Sequence, residues 1–171
     1  GSEMCIRDSN IGDTVRFTSI KPYRIVVSGR IKHYTSAFGE HVIGHEVEQA
    51  LQKTLEKHPA SVNEFTVAPQ VNPAEGLPYH EWLIEFDQKP QDITIFNQEL
   101  DTQMRRQNTY YDDLITGNIL RPLVVSEVKT EGFQHYMKSI GKLGGQNKVP
   151  RLSNNREIAD EFYSLNLITT N

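Results

Sequence analysis

The sequence predicts an α+β fold with the ferredoxin-like order β-α-β-β-α-β. Its helices lie on one face of a mixed or antiparallel sheet, preceded by a β-hairpin and followed by C-terminal helices. Three observations carry this expectation. Alternating apolar and polar residues recur at 14–20, 23–30, 64–71 and 79–87. Two stretches of helical apolar spacing, 43–57 and 91–106, fall between and after them, and 119–128 is a short run apolar on both faces.

Each element has its own signal. "TVRFTSI" (14–20) and "YRIVVSGR" (23–30) are split by Lys21-Pro22, which reads as a hairpin. In 43–57, Ile43, Val47, Ala50, Leu51 and Leu55 fall on one helical face. "EFTVAPQV" (64–71) sets Phe65, Val67 and Val71 on one side, and "NPAEGLP" makes a turn. "YHEWLIEFD" (79–87) then sets Trp82, Ile84 and Phe86 against Glu81, Leu83 and Glu85. Ile93, Phe96, Leu100 and Met104 form the second helical stripe, which continues brokenly through "YYDDLI" to Gly117. A core strand (119–128), a short helix (131–140) and a glycine-rich loop, "GKLGGQNKVPRL" (141–152), follow. A last helix is expected to start near Asn154, with Glu157 as its capping-box partner.

The N-terminal stretch "GSEMCIRDS" fits none of this. It lacks the apolar run of a signal peptide, and its charges are too scattered for an amphipathic anchor. Read back into nucleotides, it resembles the adapter that a transposase joins to fragmented DNA in sequencing libraries, translated in frame. Residues 1–9 are therefore expected to be adapter-derived, and the natural protein to be longer.

Cys5, the one cysteine of the 171 residues, falls in that stretch, so disulfides, thiolate catalysis and Cys-zinc sites are excluded from the rest. The chain carries 18 Lys and Arg against 22 Asp and Glu, net −4; without Glu3, Arg7 and Asp8 the net charge is −3. A mildly acidic domain has no bulk attraction to nucleic acid or anionic membrane. No apolar stretch approaches the roughly 20 residues of a membrane span. An RNA-recognition module shares the strand order, but it would need an aromatic-rich RNP1-like strand and a basic sheet face, and the sequence has neither.

Four places hold residues suited to chemistry. In "GGQNKVPR", Gly144-Gly145 frees the backbone ahead of Lys148, whose ammonium suits a phosphate or carboxylate. A P-loop is excluded because Val149 follows the lysine. On local pattern alone Lys148 also fits a solvated turn, the commoner case. In "SGRIKHY", Arg30 suits a phosphate or ribose and Lys32 a pivot; a charge-guarded edge strand reads the same way. Asp13 in "IGDTV" suits a ribose diol, whose two hydroxyls match two carboxylate oxygens, or an ordinary Asx turn. His41 and His45 have i,i+4 spacing, but Val42 stands where a zinc-binding HExxH needs Glu, so no metal site is expected. The Tyr110-Tyr111-Asp112-Asp113 cluster with Arg105-Arg106 reads as a polar helix shoulder.

Taken together, "GDTVRFTSIKPYRIVVSGRIKHYTSAFGEHV", "WLIEF" and "YMKSIGKLGGQNKVPRLSNNRE" resemble, in order and spacing, the C-terminal domain of the Gretchen Hagen 3 family. These are auxin-responsive-promoter acyl-acid amido synthetases of the adenylate-forming superfamily, and the chain looks like a bacterial-type member. The resemblance covers residues 10–165. It implies ATP-dependent activation of a carboxylic acid as an acyl-adenylate, then transfer to an amino acid or other amine, with Mg²⁺ neutralising phosphate charge. It places Asp13 and Arg30 at the ribose, Lys32 at the hinge and Lys148 as the catalytic lysine on the adenylate phosphate.

The same resemblance makes 10–22 the end of the large-domain side of the hinge, and 23–171 a lid whose large N-terminal domain is missing. That domain would be the lid's partner and would hold most of the ATP and Mg²⁺ contacts. The lid alone is expected to be inactive and its location cytoplasmic, with neither nucleic acid nor membrane as partner. The lid of an acyl-CoA ligase and a ferredoxin-like ligand-binding or regulatory module remain as alternatives.

Overall fold

The computed structural model describes residues 13–30, 34–142, 144 and 148–169; for Asp13, Thr14, Arg16, residues 28–30 and Tyr34 it describes the backbone alone. The adapter-like stretch and Lys32 lie outside the described residues.

Strands β1 (Asp13–Ile20) and β2 (Tyr23–Arg30) form the expected antiparallel hairpin, turning at a cis Lys21-Pro22 bond. The short strands β3 (Tyr34–Thr35) and β4 (Val42–Ile43) pair with each other and bracket a loop. Helix α1 (Gly44–Lys57) begins where the Glu46 carboxylate turns back to accept the Ile43 N–H at 3.0 Å, and it buries Val47, Ala50 and Leu51.

The main sheet has the order β5-β6-β7. β5 (Ser61–Gln70) lies antiparallel to β6 (Tyr79–Gln88), and β6 lies parallel to β7 (Val124–Val128). The parallel step requires a crossover. Helices α2 (Ile93–Gln107) and α3 (Thr109–Thr116) supply it. Asp92 caps the first by accepting the Thr94 and Ile95 N–H groups; Asn108 ends it and caps the second through the Tyr111 N–H.

The α+β class and the order of elements along the chain are those expected. Among the described residues, the strand at 23–30 pairs with β1, so the main sheet holds the last three strands of the series. Helices α1, α2 and α3 cover one face, where Phe65, Val67, Trp82, Ile84, Phe96, Leu100 and Met104 form the larger core. The C-terminal helices α4 (Gly132–Ser139) and α5 (Glu157–Ser164) cover the opposite face around Ala68, Leu83, Val128, Phe133 and Phe162.

That second cover changes how β6 reads. Its residues 80–86 are all buried, so Glu81 and Glu85, set opposite Trp82, Ile84 and Phe86 by the alternation, are interior carboxylates. Other differences are local. β5 ends at Gln70 and leaves Val71 exposed. β7 begins only at Val124, because Pro122 precedes it, while Leu120 and Leu123 enter the larger core as coil. The last helix starts at Glu157 without a capping box; the Asn155 side chain accepts the Glu157 N–H at 3.2 Å. Tyr111 is no polar shoulder: it is buried, donating its hydroxyl to Asp101 at 2.7 Å, while Arg105 and Asp112 beside it pair at the surface. Burial, and then the Asp101 charge, hold the Tyr111 phenol well above its ordinary pKa.

Candidate functional site: a cleft beneath the Lys148 loop

Past α4 the chain turns at Gly141 and Gly144, both in the left-handed region (φ 69° and 92°) that favours glycine. It rejoins the body at Val149, which is buried in the second core. From there it runs along the free edge of β5. The Pro150 carbonyl accepts the Thr66 hydroxyl at 2.7 Å, the Val67 N–H donates to Arg151 at 2.9 Å, and the Ser153 N–H donates to Val67 at 2.9 Å. A parallel bridge between Val67 and Leu152 marks the same pairing.

Arg151 locks this edge. Its guanidinium lies 4.5 Å from the centre of the Phe65 ring, donates to the Phe65 carbonyl at 3.1 Å and pairs with Glu64. Lys148 is the last residue before the anchored stretch, and its side chain is exposed. The lysine is thus fixed at its C-terminal side and follows a glycine-bearing turn on the other.

Lys148 stands at the rim of an open cleft of about 470 Å³ whose wall includes Asn63, Glu85, Phe133, Met137 and Lys142. The carboxylates here have partners. Glu85 accepts the Glu131 and Phe133 N–H groups at 3.0 and 3.2 Å, so it caps the start of α4 from a neighbouring strand. Asn63 donates to it as well, at 3.4 Å, and Glu64 faces Arg151. Lys142 and Lys148 are both exposed at the rim. Two flexible ammonium groups beside carboxylates engaged elsewhere suit a phosphate or carboxylate group. The cleft's described wall offers no serine or cysteine nucleophile.

Asp13 and Arg30 are direct cross-strand partners at the open end of the β1–β2 ladder, so the backbone brings these two residues together. Lys148 belongs to a different part of the chain, just before the stretch that pairs with the edge of the main sheet. His41 adopts φ 49° and its Nδ1 lies 3.1 Å from the Ser36 hydroxyl. Among the described residues no three His, Cys, Asp or Glu side chains gather to hold a metal ion, and no helix is long and apolar enough to cross a membrane.

The hairpin has one more property. Val15 faces Val27 and Phe17 faces Ile25 across its ladder, with Phe17 edge-on to Tyr23 at 6.2 Å. All five side chains are exposed, Phe17 by 61% and Val27 by 67%. One face of the hairpin is therefore an uncovered apolar strip.

Several polar residues in the interior escaped the sequence reading. Glu81 accepts hydrogen bonds from Ser126 at 2.6 Å and Tyr163 at 2.5 Å, and pairs with Arg156 at 2.8 Å. Burial, then the hydrogen bond to Glu81, push the Tyr163 phenol up to about 12. Glu40 and His80, in elements far apart along the chain, pair beneath α3's Tyr111. Alternation in β6 marked Glu81 and Glu85 as facing away from Trp82, and only the packing of α4 and α5 makes that face interior.

The family model described as the GH3 family C-terminal domain matches residues 45–157. Lys148 lies inside that span; Asp13, Arg30 and Lys32 lie before it. No curated protein matches the chain in sequence. Among solved structures, a GH3.15 acyl acid amido synthetase is similar with TM-score 0.70 at 17% identity, over 94% of this chain and 30% of that one. A second structure, AtGH3.15 acyl acid amido synthetase in complex with 2,4-DB, gives 0.69 at 18%, with the same coverage. At these identities the likeness is one of fold, and the chain spans 30% of the length of the structures it matches.

Proposed function

Because the chain belongs to the GH3 family and matches its C-terminal domain, we propose that it is the lid of an ATP-dependent acyl-acid amido synthetase and that Lys148 is the residue it brings to the reaction. The observation that carries this is the placement of Lys148: exposed at the rim of a cleft and directly before the buried Val149 and the stretch anchored on the edge of β5. A lysine so mounted keeps rotational freedom in its side chain while its backbone moves with the whole domain.

The chemistry is two-step. A substrate carboxylate oxygen attacks the α-phosphorus of ATP; the bond to the bridging oxygen breaks and pyrophosphate leaves. An amine nitrogen then attacks the acyl carbon, AMP departs with the electron pair of the C–O bond, and the amine gives up a proton. The first step turns a poor electrophile into an anhydride with a good leaving group. Lys148 would offset charge growing on the α-phosphate during that step. Asp13 would accept hydrogen bonds from the ribose hydroxyls, and Arg30 would lie beside it.

The rest of the site is assigned to a large upstream domain, the lid's partner, which would supply the phosphate-binding loop and both substrate pockets. Mg²⁺, which when bound neutralises phosphate charge, is assigned mainly to that domain too, alongside the ATP phosphates. The uncovered apolar strip of the hairpin suits that neighbour, with Lys32 as the pivot between the two. On this reading the lid alone is inactive, and the whole enzyme works in the cytoplasm.

The test is ATP–pyrophosphate exchange by the full-length protein across a panel of carboxylic acids, followed by product analysis with amino acids and with CoA as acceptors. Acid-dependent exchange and an amide product are expected. Exchange with no acid in the panel would sink the adenylation reading. A thioester with CoA in place of the amide would move the enzyme to the acyl-CoA ligases.

A further inference from the structure

Two hydrogen bonds join parts of the chain 118 residues apart in sequence. The Thr35 hydroxyl donates to the Ser153 carbonyl at 2.8 Å, and the Ser36 N–H donates to the Asn154 side-chain oxygen at 2.9 Å. Thr35 and Ser36 follow Lys32, the hinge assigned above, by three and four residues, at the end of β3. Ser153 and Asn154 end the stretch that begins one residue after Lys148. We propose that these four residues form a clasp that couples the hinge end of the domain to Lys148, with Thr35 and Asn154 as positioning residues for the adenylation step. The inference rests on the reading of Lys148 given above.

The geometry singles out this pair of contacts. Thr35 is entirely buried, yet its side chain is a hydroxyl with its hydrogen bond spent on one distant carbonyl. A valine would fill the same strand position at similar volume, so packing alone does not call for threonine. Ser153 is held from both sides: its N–H donates to Val67 on the sheet, and its carbonyl accepts from Thr35. The stretch 151–153 is thus sandwiched between β5 and the hinge-proximal segment. Val149 is buried and consecutive Cα atoms stand about 3.8 Å apart, so little slack separates the sandwiched stretch from Lys148. A shift of Thr35 on hinge rotation is passed to the lysine through the Ser153 carbonyl.

Asn154 extends the clasp to α5. Its neighbour Asn155 accepts the Glu157 N–H at the helix start, so displacing the 153–154 segment would also disturb that helix. The clasp therefore has a rigid backing on both flanks, β5 and α5.

Two measurements decide the matter. On this 171-residue chain, amide hydrogen exchange is compared for Thr35→Val and Thr35→Ser. Thr35→Val is expected to raise exchange at the Ser153 and Val67 amides roughly tenfold, the scale of one net hydrogen bond, with Thr35→Ser close to wild type. Equal protection in all three chains overturns the clasp. In the full-length protein, Thr35→Val and Asn154→Ala should each lower kcat for pyrophosphate exchange roughly tenfold with KM for the acid unchanged, and Thr35→Ser should restore it. Thr35→Val added to Lys148→Ala should cost nothing further; losses that multiply overturn the coupling. A wild-type protein without exchange activity would count against the function, while the amide-exchange comparison still decides whether the clasp exists.

Discussion

Glu40 and His80 form a wholly buried hydrogen-bonded pair, Oε1 to Nε2 at 2.9 Å, that fastens the loop between β3 and β4 to the start of β6. The second Glu40 oxygen accepts the Phe38 N–H at 2.8 Å, and the His80 ring stacks on Tyr111 with centres 5.1 Å apart. Burial by itself would push the Glu40 carboxyl up. The His80 hydrogen bond and charge, joined by backbone N–H groups, outweigh it and hold the carboxyl below its ordinary value of 4.5.

A carboxyl depressed by folding contributes stability that is complete above the ordinary value and is lost as pH falls through the lowered one. Wild-type unfolding midpoints in urea should therefore fall as pH drops below 4.5. Glu40→Gln, which keeps an acceptor but cannot titrate, should show a flatter dependence over that range. Parallel curves for the two proteins would remove Glu40 from the account. Glu40→Ala leaves the buried His80 Nε2 and the Phe38 N–H without their partner and should cost about 1–3 kcal/mol.

Glu85 supports a different prediction, because it holds α4 from outside the helix. Glu85→Ala leaves the buried Phe133 N–H and the part-buried Glu131 N–H without their acceptor. The expected loss is about 1–3 kcal/mol, with faster amide exchange concentrated in the first turn of α4. A uniform loss of protection over the whole sheet would mean that Glu85 acts on the core and not as a cap. A neighbouring test uses Gly132, where an added Cβ would meet Val128 Cγ1 at 2.4 Å. Gly132→Ala should cost about 1–3 kcal/mol by overpacking.

How much of this was legible beforehand follows from the range of the signals. The hairpin, the two stripes and the glycine-rich turn are local, and Val47, Trp82, Phe96, Leu100 and Met104 are all buried as their spacing implied. Lys148 was legible as a residue type on a flexible turn, but its anchoring through Pro150, Arg151 and Ser153 depends on an edge of β5 that lies some 80 residues earlier. The interior positions of Glu81 and Glu85 were not legible, because alternation records only that two faces differ. Whether the polar one is wet depends on which helices arrive to cover it. Glu40 and Tyr111 fail for the same reason: each polar atom is satisfied by a partner that local pattern cannot name.

The hairpin yields a prediction about assembly. In this chain, Phe17→Glu combined with Ile25→Lys, an opposite-charge cross-strand pair, should reduce binding of a hydrophobic dye and self-association, with the unfolding free energy changed by no more than about 0.5 kcal/mol, because both side chains are exposed. In the full-length protein the same pair should destabilise or abolish activity if the strip faces the upstream domain. Stability and activity untouched in the full-length protein would leave the strip facing solvent and sink the docking reading.

Lys148 and Lys32 should separate the two half-reactions. Lys148→Ala in the full-length protein is expected to lower adenylation by roughly 10²–10³-fold, the scale of losing one preorganised electrostatic contact. Amidation from preformed acyl-adenylate should suffer less, since the phosphate there is already joined to the acyl group and leaves as AMP. Folding should be unaffected, because the side chain is exposed. Lys32→Pro acts differently: a fixed φ at the pivot resists rotation of the lid between its two orientations. Its main effect should fall on the second half-reaction, with pyrophosphate exchange retained. Stopped single-turnover measurements on both variants read the two steps separately. Equal losses in both steps for Lys148→Ala would reassign the lysine to general ground-state binding, and an unchanged partition for Lys32→Pro would place the pivot elsewhere.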